Sequence, residues 1–419
     1  FSSISPARLR LYGTPWNFLA IARDMLIGRF GRGGEVERLE ARVAGFVGMP
    51  HAVAMPTARA SIYAAIKALI RPGQAVILCP YTIVDVVNMV ICAGGRPVFA
   101  DTEPDGYNID PRAVARLLDV TPDVGAVMVT HFYGELCAVE EIAALCRARG
   151  VPLIEDAAQA FGATAGGVRA GAFGDVGVFS FGLYKNVNSI YGGMAVVRDG
   201  DVARRIRAEI AAWPVQPMGD FLPKLAKAAI VDALTRPLLF KLFAFRVFRF
   251  AYLRDFKPIA NQLRVDFAPA IKRTLPNSYK IRMSPAQARA ILRQLDAVDS
   301  RSAARVANAK RYHEGLEGLP LVRPKLREDG RSIYTYYCPA VPDRPDFVRH
   351  LQTHGRDAAE NYHLNCADLE IFAEYAADCP NARRMSARLV YLPSYPGLRA
   401  EDIDATTRAI RAYFAEKPR

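Results

Sequence analysis

The chain predicts an α/β fold built on a mostly parallel sheet, and three observations predict it. Between about residues 51 and 199, short apolar runs alternate with stretches of helical spacing, and parallel strands need such crossover helices. Runs such as AVIL at 75–78 and VGAVMV at 124–129 read as buried strands. With 419 residues, 51% of them apolar, the chain can bury a substantial core divided among two or three domains.

Residues 1–50 read as an entry arm and then a helix over about Glu35–Phe46, with GRGG at 31–34 as the turn before it. HAVAMPTARASIYAAIKALI gives a strand, a short polar turn at 57–59 and a helix from about Ala60. A helix N-terminus beneath such a turn is a ready anion site, because its free N–H groups and dipole favour negative charge. AVILCPYTIVDVVNMVICAGGRPVFAD is a strand–helix–strand unit, and Asp85 reads as a first-turn acid complementing the helix dipole. VGAVMVTHFYGELCAVEEIAALCRARG adds a strand, a polar tip at His131 and a helix ending at Gly150.

The chemistry concentrates between 151 and 199. Two buried strands, Val151–Ile154 and Val176–Phe181, deliver polar residues at their C-terminal ends: Glu155, Asp156 and Gln159 from the first, Ser180 and Lys185 from the second. Ligands of open α/β sheets bind at those ends. A lysine leaving an apolar strand has its ammonium desolvated, which frees a neutral amine to attack an aldehyde. A lysine nucleophile facing a carboxylate is the pair that pyridoxal phosphate requires, the carboxylate holding the pyridine nitrogen protonated.

The residues EDAAQAFGA at 155–163, GDVGVFSFGLYKN at 174–186 and GGMAVV at 192–197 carry a resemblance. They are similar to the pattern of the DegT/DnrJ/EryC1/StrS sugar aminotransferases. The likeness extends over nearly the whole chain apart from one insertion. It implies pyridoxal phosphate fold type I: a mostly parallel seven-stranded sheet in a large domain, and a smaller C-terminal α+β domain. On this reading 1–204 is the first part of the large domain with its arm, 205–275 a basic helical insertion, and 276–419 a long connecting helix with the small domain. The cofactor is pyridoxal 5'-phosphate, with Lys185 and Asp156 as the catalytic pair. Gln159 contacts the ring or its O3′, and Ser180 with Thr57, Ala58 and Arg59 binds the phosphate. The turn at 57–59 departs from the family's Ser-Gly-Thr, and Arg59 either contacts phosphate or projects into solvent. Ile83 stands where the family has a ring-stacking aromatic, so either Tyr81 substitutes or the ring is held more loosely. NSYKIRM at 277–283 is similar to a family segment whose asparagine reaches the cofactor of the neighbouring subunit; Lys280 stands there, implying a homodimer with shared active sites. His131, Tyr191, Asn361 and His363 are assigned to the substrate pocket. A satisfied surface histidine is the simpler account of His363, and His131 is read as lining the site and not as the proton carrier.

Seven scattered cysteines without a C-x-x-C suggest neither a disulfide framework nor a zinc site, and no metal is expected. No run reaches the ~18–20 apolar residues of a membrane span, and the first residues lack a secretory pattern, so a cytoplasmic enzyme is expected. The net charge of +13 is local: 221–274 hold 11 Lys and Arg against three acids, which is +8 of it. No nucleic-acid motif accompanies that charge. Leu238–Phe250 interleaves cations with aromatics, as in a helix lying on an anionic membrane face, or else packs as a buried helical subdomain. The expected function is transfer of an amino group, from glutamate, to a nucleotide-linked keto-sugar. The alternatives are a lipid- or carrier-linked keto substrate reached from the inner membrane face through 221–256, and a non-catalytic regulator, against which the retention of Lys185 and Asp156 argues.

Overall fold

A computed structural model describes residues 5–11, 15–254, 256 and 269–416. Parts of the expected arm (1–4, 12–14) and of the basic insertion (255, 257–268), with 417–419, lie outside the described residues.

Seven strands form the central sheet: β1 His51–Met55, β2 Ala75–Leu78, β3 Arg96–Phe99, β4 Val124–Thr130, β5 Leu153–Asp156, β6 Val176–Ser180 and β7 Gly193–Val197. Their order is β1-β7-β6-β5-β4-β2-β3. All neighbours run parallel except that β7 is antiparallel to both β1 and β6. The sheet is therefore mostly parallel, as expected. Burial explains why the strands read as unbroken apolar runs: β2 and β7 are buried at every position, so neither face can carry a polar alternation.

Helices precede the sheet, fill its crossovers and follow it. Those before it are α1 Pro15–Leu26 and α2 Glu35–Val47; those in its crossovers are α3 Ala58–Leu69, α4 Val84–Cys92, α5 Pro111–Val120 and α6 Val139–Arg149; those after it are α7 Gly200–Ile210 and α8 Met218–Leu234. Their ends follow local chemistry. Thr57 and Asp110 cap α3 and α5 through their side chains, and Gly150 ends α6 in the left-handed conformation (φ 63°) that favours glycine.

After α8 comes a rod made of Pro237–Leu239, a π turn over Phe240–Ala244 and α9 Phe245–Leu253. The rest is α10 Pro285–Leu292, α11 Val298–Gly315, α12 Arg344–Thr353, α13 Pro380–Arg388 and α14 Ala400–Glu416. α10 starts on a capping box in which Ser284 and Gln287 satisfy each other's backbone N–H groups. The single long helix expected after Met283 is instead two. It breaks at Gln294, whose amide turns inward to donate to the Asn188 carbonyl at 2.6 Å.

α11, α12 and α14 enclose an apolar cluster around Tyr312, Tyr337, Phe347 and Ile410, distinct from the sheet core. One strap ties this C-terminal part to the sheet's active edge: Leu364–Asn365 pairs antiparallel with Tyr81–Thr82, just past β2.

Candidate active site

The C-terminal ends of β4, β5 and β6 lie side by side, because Thr130 is in register with Asp156 and Asp156 with Val178. Sequence order thus becomes spatial order, and His131, Asp156 and Ser180 emerge at one edge.

Asp156 is 6% exposed. Its Oδ1 accepts the Ala158 N–H at 3.1 Å, which fixes the carboxylate at the mouth of the strand. Burial raises its pKa above the usual carboxylate value, with the Ala158 N–H and the Lys185 ammonium opposing. Lys185 follows β6 in a loop running to Gly192. Burial pushes its ammonium from 10.5 down to about 8, opposed by the charge of Asp156. Lysine and aspartate are therefore electrostatic neighbours. The lysine is half-neutral near pH 8 without any other base.

The loop that carries Lys185 is held from several sides. Asn186 donates to the Phe161 carbonyl at 3.2 Å and accepts from Arg305 of α11 at 2.5 Å. Gln294 clamps Asn188, and Ile190 is buried among Phe221 and Leu225 of α8. Ile190 has φ 74°, a strained conformation for a β-branched residue that the packing around it must enforce. Asn186, Gln294 and Arg305 had no signal in the sequence beyond the lysine's neighbour in the motif.

The 57–59 turn sits beside β7. A Cβ on Gly193 would lie 2.4 Å from the Thr57 carbonyl carbon, so only glycine lets the turn approach this closely. Thr57 Oγ1 accepts the Ala60 N–H at 3.2 Å, and the first N–H groups of α3 have no partner within the helix. Ser180 Oγ accepts the Gly182 N–H at 3.3 Å. Arg59 does not project into solvent: its Nη1 donates to Asp85 at 2.5 Å and to Tyr279 Oη at 3.0 Å. Asp85 is more than a first-turn acid. It is the hub of a cluster with Arg59, Tyr279 and Lys272, and although burial alone would raise it, Lys272 and Arg59 hold it below the usual range.

A wall of rings closes the other side. Tyr81 is fully buried; its hydroxyl lies 2.5 Å from that of Tyr133 and accepts from Asn361. His363 Nδ1 pairs with Asn361 Oδ1 at 2.9 Å, and Gln159 presents its Nε2 to the other ring nitrogen at 3.5 Å while accepting the Tyr133 N–H at 2.9 Å. Burial first, and the nearby Lys185 charge second, push His363 down to about 3, so it stays neutral. Asn361, His363, Gln159 and Tyr81 are thus brought together around Lys185's side of the site. Ile83, half-buried, is the N-cap residue of α4.

His131 is placed behind this wall. It is 0% exposed, its Nδ1 accepts from Cys137 N–H at 3.4 Å and its Nε2 faces Glu155 at 3.0 Å, so it lines the protein interior and not an open pocket. Tyr191 is 38% exposed beneath Lys224 of α8, whose ammonium lies 5.1 Å from its ring centre. Lys280 is not brought to Lys185. It lines a groove of about 690 Å³ with Tyr63, Lys67, Trp213 and Arg273.

The donor set suits pyridoxal phosphate: a half-buried amine of lowered basicity, an opposed carboxylate, and a helix N-terminus that a glycine lets approach β7 closely. Among the described residues no cluster of His, Cys, Asp or Glu could hold a metal ion.

Comparison with known proteins agrees. The sequence model of the DegT/DnrJ/EryC1/StrS aminotransferase family matches residues 18–217 and 254–411. The spore coat polysaccharide biosynthesis protein SpsC of Bacillus subtilis is 29% identical, over 92% of this chain and 90% of its own length. The GDP-perosamine synthase of Caulobacter vibrioides is 26% identical over 97% of each. A crystal structure of DesI in the presence of its TDP-sugar product superposes with a TM-score of 0.73 at 26% identity, covering 98% of this chain and 93% of that one.

Proposed function

Since the chain belongs to the DegT/DnrJ/EryC1/StrS aminotransferase family, we propose that it moves an amino group from an amino acid, glutamate, to a nucleotide-linked keto-sugar, with pyridoxal phosphate held at Lys185. The observation that carries this reading is the desolvated Lys185 amine opposed by Asp156 at adjoining strand ends. Related proteins supply the substrate class, one being named for GDP-perosamine and another solved with a TDP-sugar.

Bound there, pyridoxal phosphate supplies an aldehyde for the lysine amine and a ring that withdraws electrons from a substrate carbon. The protein's own residues do the remainder. Lys185 holds or releases a proton at Nζ with little cost near pH 8, which suits it to carry that proton to and from a substrate carbon. Asp156, its carboxylate fixed by the Ala158 N–H, is set to oppose whatever cation faces it. Asn186, Gln294 and the packing at Ile190 fix the loop so that the amine does not swing away. The Tyr81–Tyr133–Asn361–His363 wall excludes water while staying uncharged. Thr57 and Ala58 at the α3 N-terminus, with Ser180 at the end of β6, would bind the phosphate.

The test is a panel of keto substrates, nucleotide-linked and lipid-linked, assayed for glutamate-dependent amination. Turnover confined to nucleotide-linked sugars is expected; turnover of lipid-linked substrates alone would replace the substrate class.

A homodimer with shared sites accounts for Lys280, which lies in its own groove away from Lys185 of the same chain. On this reading Lys280 serves the cofactor phosphate of the partner subunit as a point charge. Mixing inactive Lys185→Ala with inactive Lys280→Ala subunits is then expected to restore up to about a quarter of wild-type activity, since one site in a mixed dimer regains both lysines. Verified mixed dimers with no regained turnover would remove Lys280 from the partner's site.

A further inference from the structure

The family match leaves out 218–253, the span of α8 and of the rod that ends in α9. α8 backs the lysine loop through Phe221 and Leu225, but amino transfer gives the rod no task. The rod has two apolar faces. One is in use: Phe240, Ala244 and Phe245 are buried with Ala7, Phe248 packs on them, and Arg249 Nη2 donates to the Thr353 carbonyl of α12 at 3.0 Å.

The other face is bare. Leu238, Leu242, Phe243, Val247 and Phe250 are 69, 48, 61, 48 and 59% exposed. Leu238, Leu242, Val247 and Phe250 recur at steps of three to five residues, and with Phe243 they form one stripe along the rod. Contiguous apolar surface of this kind marks an interaction site.

Charge decides the partner. Residues 221–254 contain seven Lys and Arg and a single acid, Asp232, which is buried and paired with Arg236 at 3.2 Å. Arg246 and Arg254 are exposed, Arg246 within the stripe itself. A second copy meeting this patch isologously would set the patch against itself, cation facing cation with no acid between them. An anionic lipid surface complements both features at once, phosphates for the arginines and acyl boundary for the rings. The 17 residues of 237–253 make a rod of roughly 25 Å at 1.5 Å per residue, short of the ~30 Å hydrocarbon core. No helix among the described residues is long and apolar enough to cross a membrane. The rod's fit is to the headgroup plane.

We propose that the outer face of the rod is a peripheral docking surface for an anionic bilayer, seating Phe243 and Phe250 at the acyl boundary and Arg246 and Arg254 on lipid phosphates. The inner face of α8, the helix that precedes the rod, packs on Ile190, with Leu183 and Tyr184 against the same cluster. The surface is independent of the substrate assigned above.

Co-sedimentation of the full protein with vesicles tests this, using phosphatidylcholine alone and phosphatidylcholine mixed with phosphatidylglycerol, at low and high salt. Wild type is expected to bind the mixed vesicles, and to lose binding as salt rises. Arg246→Gln/Arg254→Gln is expected to bind about fivefold more weakly for each cation removed. Phe243→Glu/Phe250→Glu is expected not to bind. Both variants retain wild-type transamination, which also reports their folding; should the phenylalanine variant not fold, the arginine variant decides. No binding by wild type at low salt overturns the proposal, as does undiminished binding by either folded variant. So does a drop in oligomer size in the phenylalanine variant, which would assign the stripe to a second copy.

Discussion

Lys185→Ala is expected to lower transamination by about 10⁴-fold or more and to abolish the visible absorbance of bound cofactor, while leaving the far-ultraviolet circular dichroism unchanged. The fold survives because the loop around Lys185 is anchored by its neighbours: Asn186 by Phe161 and Arg305, Asn188 by Gln294 and Ile190 by α8. The lysine side chain makes none of those contacts. Its lowered pKa adds a pH signature to the wild type. The amine loses its proton near pH 8, so capture of pyridoxal phosphate by the cofactor-free protein accelerates as pH rises and levels off above about 8. A lysine at its ordinary value would still be climbing toward 10.5. Substantial turnover in the alanine variant would sink the assignment, and a wild-type profile without a plateau would contradict the desolvated amine.

The lysine and its carboxylate were legible because they are local. Each leaves the end of an apolar strand within a few residues, and parallel neighbours put such ends at one edge. Other parts were not legible because their partners are remote in sequence. The Asp85 carboxylate reads as a helix-dipole acid until Lys272 and Tyr279, 187 and 194 residues on, are seen to converge on it. The ring wall needs Tyr81, Tyr133 and His363 together, and that depends on the short pairing of Leu364–Asn365 with Tyr81–Thr82. His131 reads as a polar strand tip, yet Glu155 turns inward to meet it and draws it into the interior. In the insertion, spacing alone scattered the cations around the helix. Only the burial of Phe240, Ala244 and Phe245 identifies which face is taken, and it places Phe248 on that inner face and Phe250 on the outer one.

Asp156→Asn is expected to lower kcat by about 10²- to 10⁴-fold, with the protein folded and able to bind cofactor. The amide is nearly isosteric and its oxygen can still accept the Ala158 N–H, so what is lost is charge and not a structural bond. No neighbouring carboxylate can stand in. Glu155 is adjacent in the strand, but its oxygens accept the N–H groups of Gly171, Phe173 and Gly174 and face His131, which turns them away from the site. A second reading separates an electrostatic role from a structural one. Asp156 opposes the fall of the Lys185 pKa, so removing its charge lets that value drop below about 8. The plateau of the cofactor-capture profile then begins at lower pH in Asp156→Asn than in wild type. Capture becomes faster at neutral pH even as turnover collapses, because the amine is freer while the opposing charge needed for the chemistry is gone. Near-wild-type kcat, or a capture profile that does not shift, would show that Asp156 does not face the lysine's charge and would remove it from the reacting pair.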